Sequence, residues 1–153
     1  MPQQLVVNEW LLHDLKGDNG TGLQKRAIKF LEGICSNKDL LVVVRGGSWM
    51  NKAYQLFTES DPHLRVISKY LHNAIIRNQN VCRMYDHDEL MILPEDIHKI
   101  VPYDDVYLVR LYMTANADVL ITADLRLRAA LCVRPEIRVE MRDNFISNYL
   151  DEA

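Results

Sequence analysis

Asp105 and Asp124 stand nineteen positions apart, on either side of an apolar run, Val119-Leu120-Ile121, that ends in Thr122. Carboxylates that converge repel one another, and a cation is their natural neutraliser. Hard oxygen ligands with water left in the shell suit Mg²⁺ or Mn²⁺, and such sites most often serve phosphate chemistry. Other polar residues fall at comparable places. Asn8 and Glu9 follow Leu5-Val6-Val7, Asp104 precedes Asp105, and Arg45-Gly46-Gly47-Ser48 follows a run from Leu40 to Val44. The last of these offers backbone N–H groups and a guanidinium to a phosphate at a helix start.

Each of these residues also has a local structural use. Asp124 suits the N-cap of a helix carrying Leu125 and Leu127. Asp104 and Asp105 follow Pro102 at a helix start, where acids complement the dipole. Gly46-Gly47-Ser48 reads as a tight turn with Ser48 as cap, and without a Gly-Lys-Ser/Thr ending it is no nucleotide P-loop. Asp86-His87-Asp88-Glu89 reads as a solvated loop. His13, His63, His72 and His98 have no partner at ligand spacing, and Trp10 and Trp49 are expected to anchor helices in the core. The pairing of Asp105 with the Thr122-Ala123-Asp124 step, rather than either acid alone, points to a site.

The elements that must position these residues follow from periodicity. Leu5–Val7, Leu40–Val44, Val81–Tyr85, Val119–Thr122 and Ile137–Glu140 read as strands. Between them, Leu23, Ala27, Ile28, Leu31 and Ile34 mark one helical face, and Leu64, Ile67, Leu71, Ala74 and Ile75 mark another. Further helices are expected over 10–15, 49–57, 103–116, 124–131 and 144–150, with a glycine-rich turn over 16–22 and a long connection over 86–102. Strands alternating with helices predict a three-layer α/β/α fold with a mainly parallel sheet of about five strands. Right-handed crossovers align the strand C-termini along one edge, and ligands bind there. Asn8, Glu9, Arg45, Asp86, Thr122 and Asp124 all fall at that edge. A helix returning antiparallel to its strand brings Asp104 and Asp105 to it as well.

The whole chain bounds these readings. Its 153 residues make one domain, 1–153, with 48% hydrophobic and 25% charged residues, in the globular range. Eighteen basic against twenty-one acidic residues give a net charge of −3, which argues against a uniformly basic nucleic-acid coat but leaves room for a local basic patch. No apolar stretch has the length of a membrane span, and the start carries no cationic leader, so a cytoplasmic protein with no membrane association is expected. Cys35, Cys82 and Cys132 are far apart and odd in number, and read as buried thiols rather than a zinc cage or a disulfide frame.

The stretch Tyr103-Asp104-Asp105-Val106, the helix after it, and Asn116 to Leu127 resemble the C-terminal half of a PIN domain. In that family of metal-dependent ribonucleases an Asp opens a helix and a hydrophobic strand then ends in Thr-x-Asp. Asp105 and Asp124 match those positions, and the segment 137–150 sits where the family has its last strand and helix. The resemblance implies an RNA-hydrolysing site in which Asp105, Asp124 and Asp104 hold Mg²⁺ or Mn²⁺. Glu9 and Asn8 assist and Thr122 orients a carboxylate or a water. Arg45, Ser48, Asn51, Lys52 and Arg126 contact the substrate. For a toxin-type member it further implies an antitoxin or other protein partner and a homodimer. The family's first strand ends in Asp, where this chain has Asn8 beside Glu9. Its Glu in the helix after the second strand has no match here, Asn51 being the nearest polar residue. The alternative is therefore a catalytically degenerate PIN-like domain acting as an RNA-binding or protein-interaction module. An unrelated phospho-receiver fits less well, because no suitable late Lys is present.

Overall fold

The continuous β-branched runs of the sequence become the inner strands of a sheet. The computed structural model describes residues 2–151. In chain order the elements are β1 (Gln4–Val7), α1 (Trp10–Lys16), α2 (Thr21–Asn37), β2 (Leu40–Val44) and α3 (Ser48–Gln55). Next come α4 (Pro62–Tyr70), which runs into a π-helical stretch Leu71–Ile76, then β3 (Cys82–Tyr85), α5 (Glu95–His98) and α6 (Val106–Ala115). The chain finishes with β4 (Val119–Thr122), α7 (Leu125–Leu131), β5 (Val139–Met141) and α8 (Arg142–Asp151). The strand order is β3-β2-β1-β4-β5 and every pairing is parallel. The three-layer α/β/α architecture expected from the sequence is the one observed.

Alternation within the strands divides the core in two. Leu5, Val7, Leu41, Val43, Val119 and Ile121 pack towards α1–α4 and α8, while Val6, Val42, Val44 and Leu120 pack towards α5–α7. Both faces are covered, so the strands need no polar side and read as unbroken apolar runs. Fully burying each such side chain contributes about 1.5–3 kcal/mol. Trp10 and Trp49 lie in the first cluster as expected. The Trp10 ring stacks near Phe30, with centroids 6.1 Å apart, and its Nε1 donates to the Ile121 carbonyl at 2.9 Å. That bond fastens the start of α1 to the end of β4.

Register sets which residues share the carboxyl edge of the sheet. Val7 lies opposite Ile121, and the Asn8 amide donates to the Ile121 carbonyl at 3.1 Å, so Asn8 sits level with Thr122. Val44 lies opposite Tyr85, and the Arg45 amide donates to the Tyr85 carbonyl at 2.8 Å.

Several local expectations change. α2 begins at Thr21, inside the stretch read as a turn, with Gly20 as its N-cap at a positive φ of 103°. Gly47 is the N-cap residue of α3, so Ser48 is the first helical residue and its hydroxyl is free to reach elsewhere. β5 starts at Val139 rather than Ile137, because Ile137 is drawn into the second core cluster and the Arg138 amide donates to the Tyr112 hydroxyl at 3.1 Å. The loop Asp86–Glu89 forms a 3₁₀ turn closed by a reciprocal capping box. Cys82 is buried and Cys35 half-buried, but Cys132 is exposed, and none of the three is bonded to another.

Candidate functional site

A cleft of about 720 Å³ opens at the carboxyl edge of the sheet, between the ends of β1 and β4 and the start of α6. Pro102 holds an extended backbone (φ −54°, ψ 140°), and a 3₁₀ turn over Tyr103–Asp105 then leads into α6. α6 packs against β1, β2 and β4, which returns its N-terminus to the edge where those strands end. Asp104, Asp105 and Asp124 therefore line the same cleft, together with Asn8, Glu9 and Arg126.

Asp105 is the most buried acid of the cleft, at 8% exposure. Burial pushes its carboxyl above the usual range, and the neighbouring charges of Asp124 and Asp104 push it further, with Arg126 opposing and Glu9 adding to the rise. Asp124 combines both roles read from the sequence. Its Oδ1 accepts the Arg126 amide at 2.9 Å as the N-cap of α7, and the Arg126 guanidinium lies 3.6 Å from the same oxygen. The fully buried Thr122 hydroxyl accepts the Asp124 amide at 3.0 Å and the Asn8 side-chain amide at 3.3 Å. This one hydroxyl couples the ends of β1 and β4 and fixes the turn that presents Asp124.

Asn8 and Glu9 diverge. The Asn8 side-chain carbonyl oxygen accepts the Glu9 amide at 2.7 Å, while Glu9 turns towards α3 and α6. Its Oε1 accepts the Ser48 hydroxyl at 2.5 Å and the Tyr107 hydroxyl at 3.2 Å, and Lys52 Nζ lies 4.0 Å from Oε2. Ser48 and Lys52 thus act on Glu9 from beside the cleft. Arg45 lies elsewhere, paired with Asp86 at 3.1 Å and lining a second groove, and Asn51 is exposed on α3 and lines neither.

Three residues escape sequence reasoning. Tyr107 is the hydroxyl that holds Glu9, and burial raises its own ionisation well above the ordinary tyrosine value. Its signal was its place in the first turn of the helix that Asp105 opens. Tyr103 and Leu125, 90% and 70% exposed, flank the cleft as large apolar side chains in contact with water.

The cleft gathers four carboxylates, Glu9, Asp104, Asp105 and Asp124, against the Arg126 guanidinium, with Lys52 beside it. A hard cation would neutralise such an excess of negative charge around a buried acid, and Asp105 and Asp124 are the residues that could hold one. Among the described residues no group of three or more His, Cys, Asp or Glu side chains is arranged to hold a metal ion. The four carboxylates share the cleft without forming such a group, and the side-chain oxygens of Asn8 and Thr122 beside them already accept amide hydrogens. Among the described residues no helix is long and apolar enough to cross a membrane. Comparison with protein families, with curated proteins and with solved structures gives no match.

Proposed function

We propose that the chain is a PIN-like ribonuclease dependent on Mg²⁺ or Mn²⁺, working in the Asp105–Asp124 cleft. The observation that carries this reading is the buried Asp105 carboxyl, raised by burial and by its carboxylate neighbours at the sheet edge where ligands bind. Asp105 and Asp124 hold the ion, and Asp104 and Glu9 add negative charge around it. When bound, the ion supplies an activated water and neutralises the charge that develops on a phosphodiester during hydrolysis. The chain's own groups do the rest. Thr122 holds the Asp124 turn in place, and Ser48 and Tyr107 keep Glu9 from swinging freely. Arg126, exposed at the mouth, offers a guanidinium to a phosphate of the substrate.

The test is cleavage of a labelled single-stranded RNA pool with Mn²⁺ or Mg²⁺, against an EDTA control and Asp124→Asn. Asparagine is as good an N-cap as aspartate, so this variant keeps α7 while removing the charge. Metal-dependent cleavage that falls about 100-fold or more in Asp124→Asn is the expected result.

A second reading rests on a specific observation: the residue that follows β1 is Asn8 rather than an acid, and the adjacent Glu9 is taken up by Ser48 and Tyr107. On that reading the cleft has lost catalysis, and the chain is an RNA-binding or protein-interaction module. RNA retention without cleavage, and no heat of Mn²⁺ binding in calorimetry, would decide for it.

A further inference from the structure

A second groove, of about 650 Å³, runs beside the edge strand β3, between α3, the π-helical stretch and the outer end of the sheet. Three arginines line it: Arg45, Arg77 and Arg83, and no carboxylate is among its lining residues. Arg77 bonds only the neutral Asn73 side chain, at 3.3 Å, and the Arg83 guanidinium lies over the Tyr85 ring, 4.9 Å from its centroid. Among the described residues neither forms an ion pair with an acid. Arg45 has one, with Asp86, but both partners are more than 60% exposed, at 65% and 61%, and such a pair is worth little and is easily exchanged. On a chain of net charge −3, two arginines that line one groove without an acid partner, Arg77 and Arg83, mark a place for an anion.

The groove also has aromatic faces. The widened π-helical turn carries His72, buried and bonded through Nε2 to the Ala53 carbonyl at 3.1 Å. Tyr54, which lines the groove at 53% exposure, and Phe57, which lies outside it, stack against its ring with centroids 5.3 and 4.0 Å away. Burial holds His72 below its ordinary ionisation range, so the positive charge here belongs to the arginines. Guanidiniums beside exposed aromatic rings are the combination by which proteins hold single-stranded nucleic acid, phosphates on the cations and bases on the rings. The groove is also connected to the acid cleft by the sheet itself. Arg45 follows β2 at the same edge at which Thr122 ends β4, and the order β2-β1-β4 separates those two strands by two spacings, about 10 Å.

We propose that this groove is a binding track for single-stranded RNA, in which Arg77 and Arg83 each hold a phosphate and Tyr54 stacks a base, the strand passing Arg45 towards the acid cleft. The choice of RNA as ligand rests on the ribonuclease reading above, whereas binding in the groove does not require cleavage. The probe is a short fluorescein-labelled oligouridine, measured by anisotropy in EDTA over a salt series. The Arg77→Ala/Arg83→Ala protein should bind at least about tenfold more weakly. Its log–log salt slope should be shallower by about 1.4, at roughly 0.7 for each phosphate no longer neutralised. Tyr54→Ala should cost about tenfold through the absence of stacking, with little change in slope. Arg77→Lys/Arg83→Lys should keep most of the slope. Circular dichroism melts confirm that each variant is folded. An arginine variant that binds within twofold of the parent with an unchanged slope overturns the track, as does a parent protein that does not bind the probe. Metal-dependent cleavage alongside either result leaves the ribonuclease reading standing. Arginine-dependent binding without cleavage keeps the track and removes the catalysis.

Discussion

Asp105 shows what a buried acid among like charges does to the protein that carries it. It sits at 8% exposure among other carboxylates, and among the described residues no side-chain hydrogen bond compensates its burial in the cleft. Near neutral pH an ionised carboxylate in that position opposes folding, because burial and like charges both disfavour the charged form. Asp105→Asn should therefore stabilise the metal-free protein by about 1 kcal/mol, seen as a rise of about 2–4 °C in Tm at pH 7 in EDTA. A lower Tm would make Asp105 a structural residue and weaken the case for a site. Asp124, by contrast, has a local use as a cap, and Thr122 both holds the Asp124 turn and joins two strand ends. The pairing of Asp105 with Asp124 was legible from type and spacing. The direction of Glu9 was not, because it depends on Ser48 and Tyr107, which lie 39 and 98 positions further along the chain.

Among the elements, the pair α2 and α8 shows how tightly the layer behind the cleft is packed. A Cβ built on Gly33 of α2 would stand 2.9 Å from Cε2 of Tyr149 in α8, well inside van der Waals contact. Tyr149 has little freedom to yield, since its hydroxyl donates to the buried Asp39 carboxylate and its ring packs on Phe30 with centroids 5.4 Å apart. Gly33→Ala gains up to about 1 kcal/mol of helix propensity. Overpacking costs about 1–3 kcal/mol, so a net loss of stability is expected in urea titration, with an unchanged m-value. A more stable variant would mean that α8 shifts without penalty. Most elements were legible in the sequence because apolar period and turn residues are local signals. The π-helical stretch was not, since Leu71, Ala74 and Ile75 keep helical spacing through it. Nor was the true start of β5, where a tertiary pull on Ile137 outweighs its strand propensity.

For the whole molecule, pH tests how the layers are held. His72 is buried between Tyr54 and Phe57, and burial lowers its ionisation from the ordinary 6.5. Above pH 6.5 the ring is neutral in both folded and unfolded chains and does not alter stability. As pH falls below that value the unfolded chain takes a proton that the folded chain resists, so stability is lost down to the lower folded value. As pH falls below 6.5 the parent should lose stability with a slope of up to about 1.4 kcal/mol per pH unit from this group, and His72→Phe should be flatter by that amount. Equal slopes would show that the ring protonates in place. By itself the sequence determined the strand–helix alternation, the parallel sheet and the edge where its polar residues collect. Those follow from periodicity and from the handedness of crossovers, which are local or topological. Only the tertiary structure decided which residues at that edge meet. It put Asp105 beside Asp124, turned Glu9 towards Tyr107, and took Arg45 away to a groove of arginines. Side-chain direction at a strand end is set by neighbours far along the chain, and no local pattern encodes it.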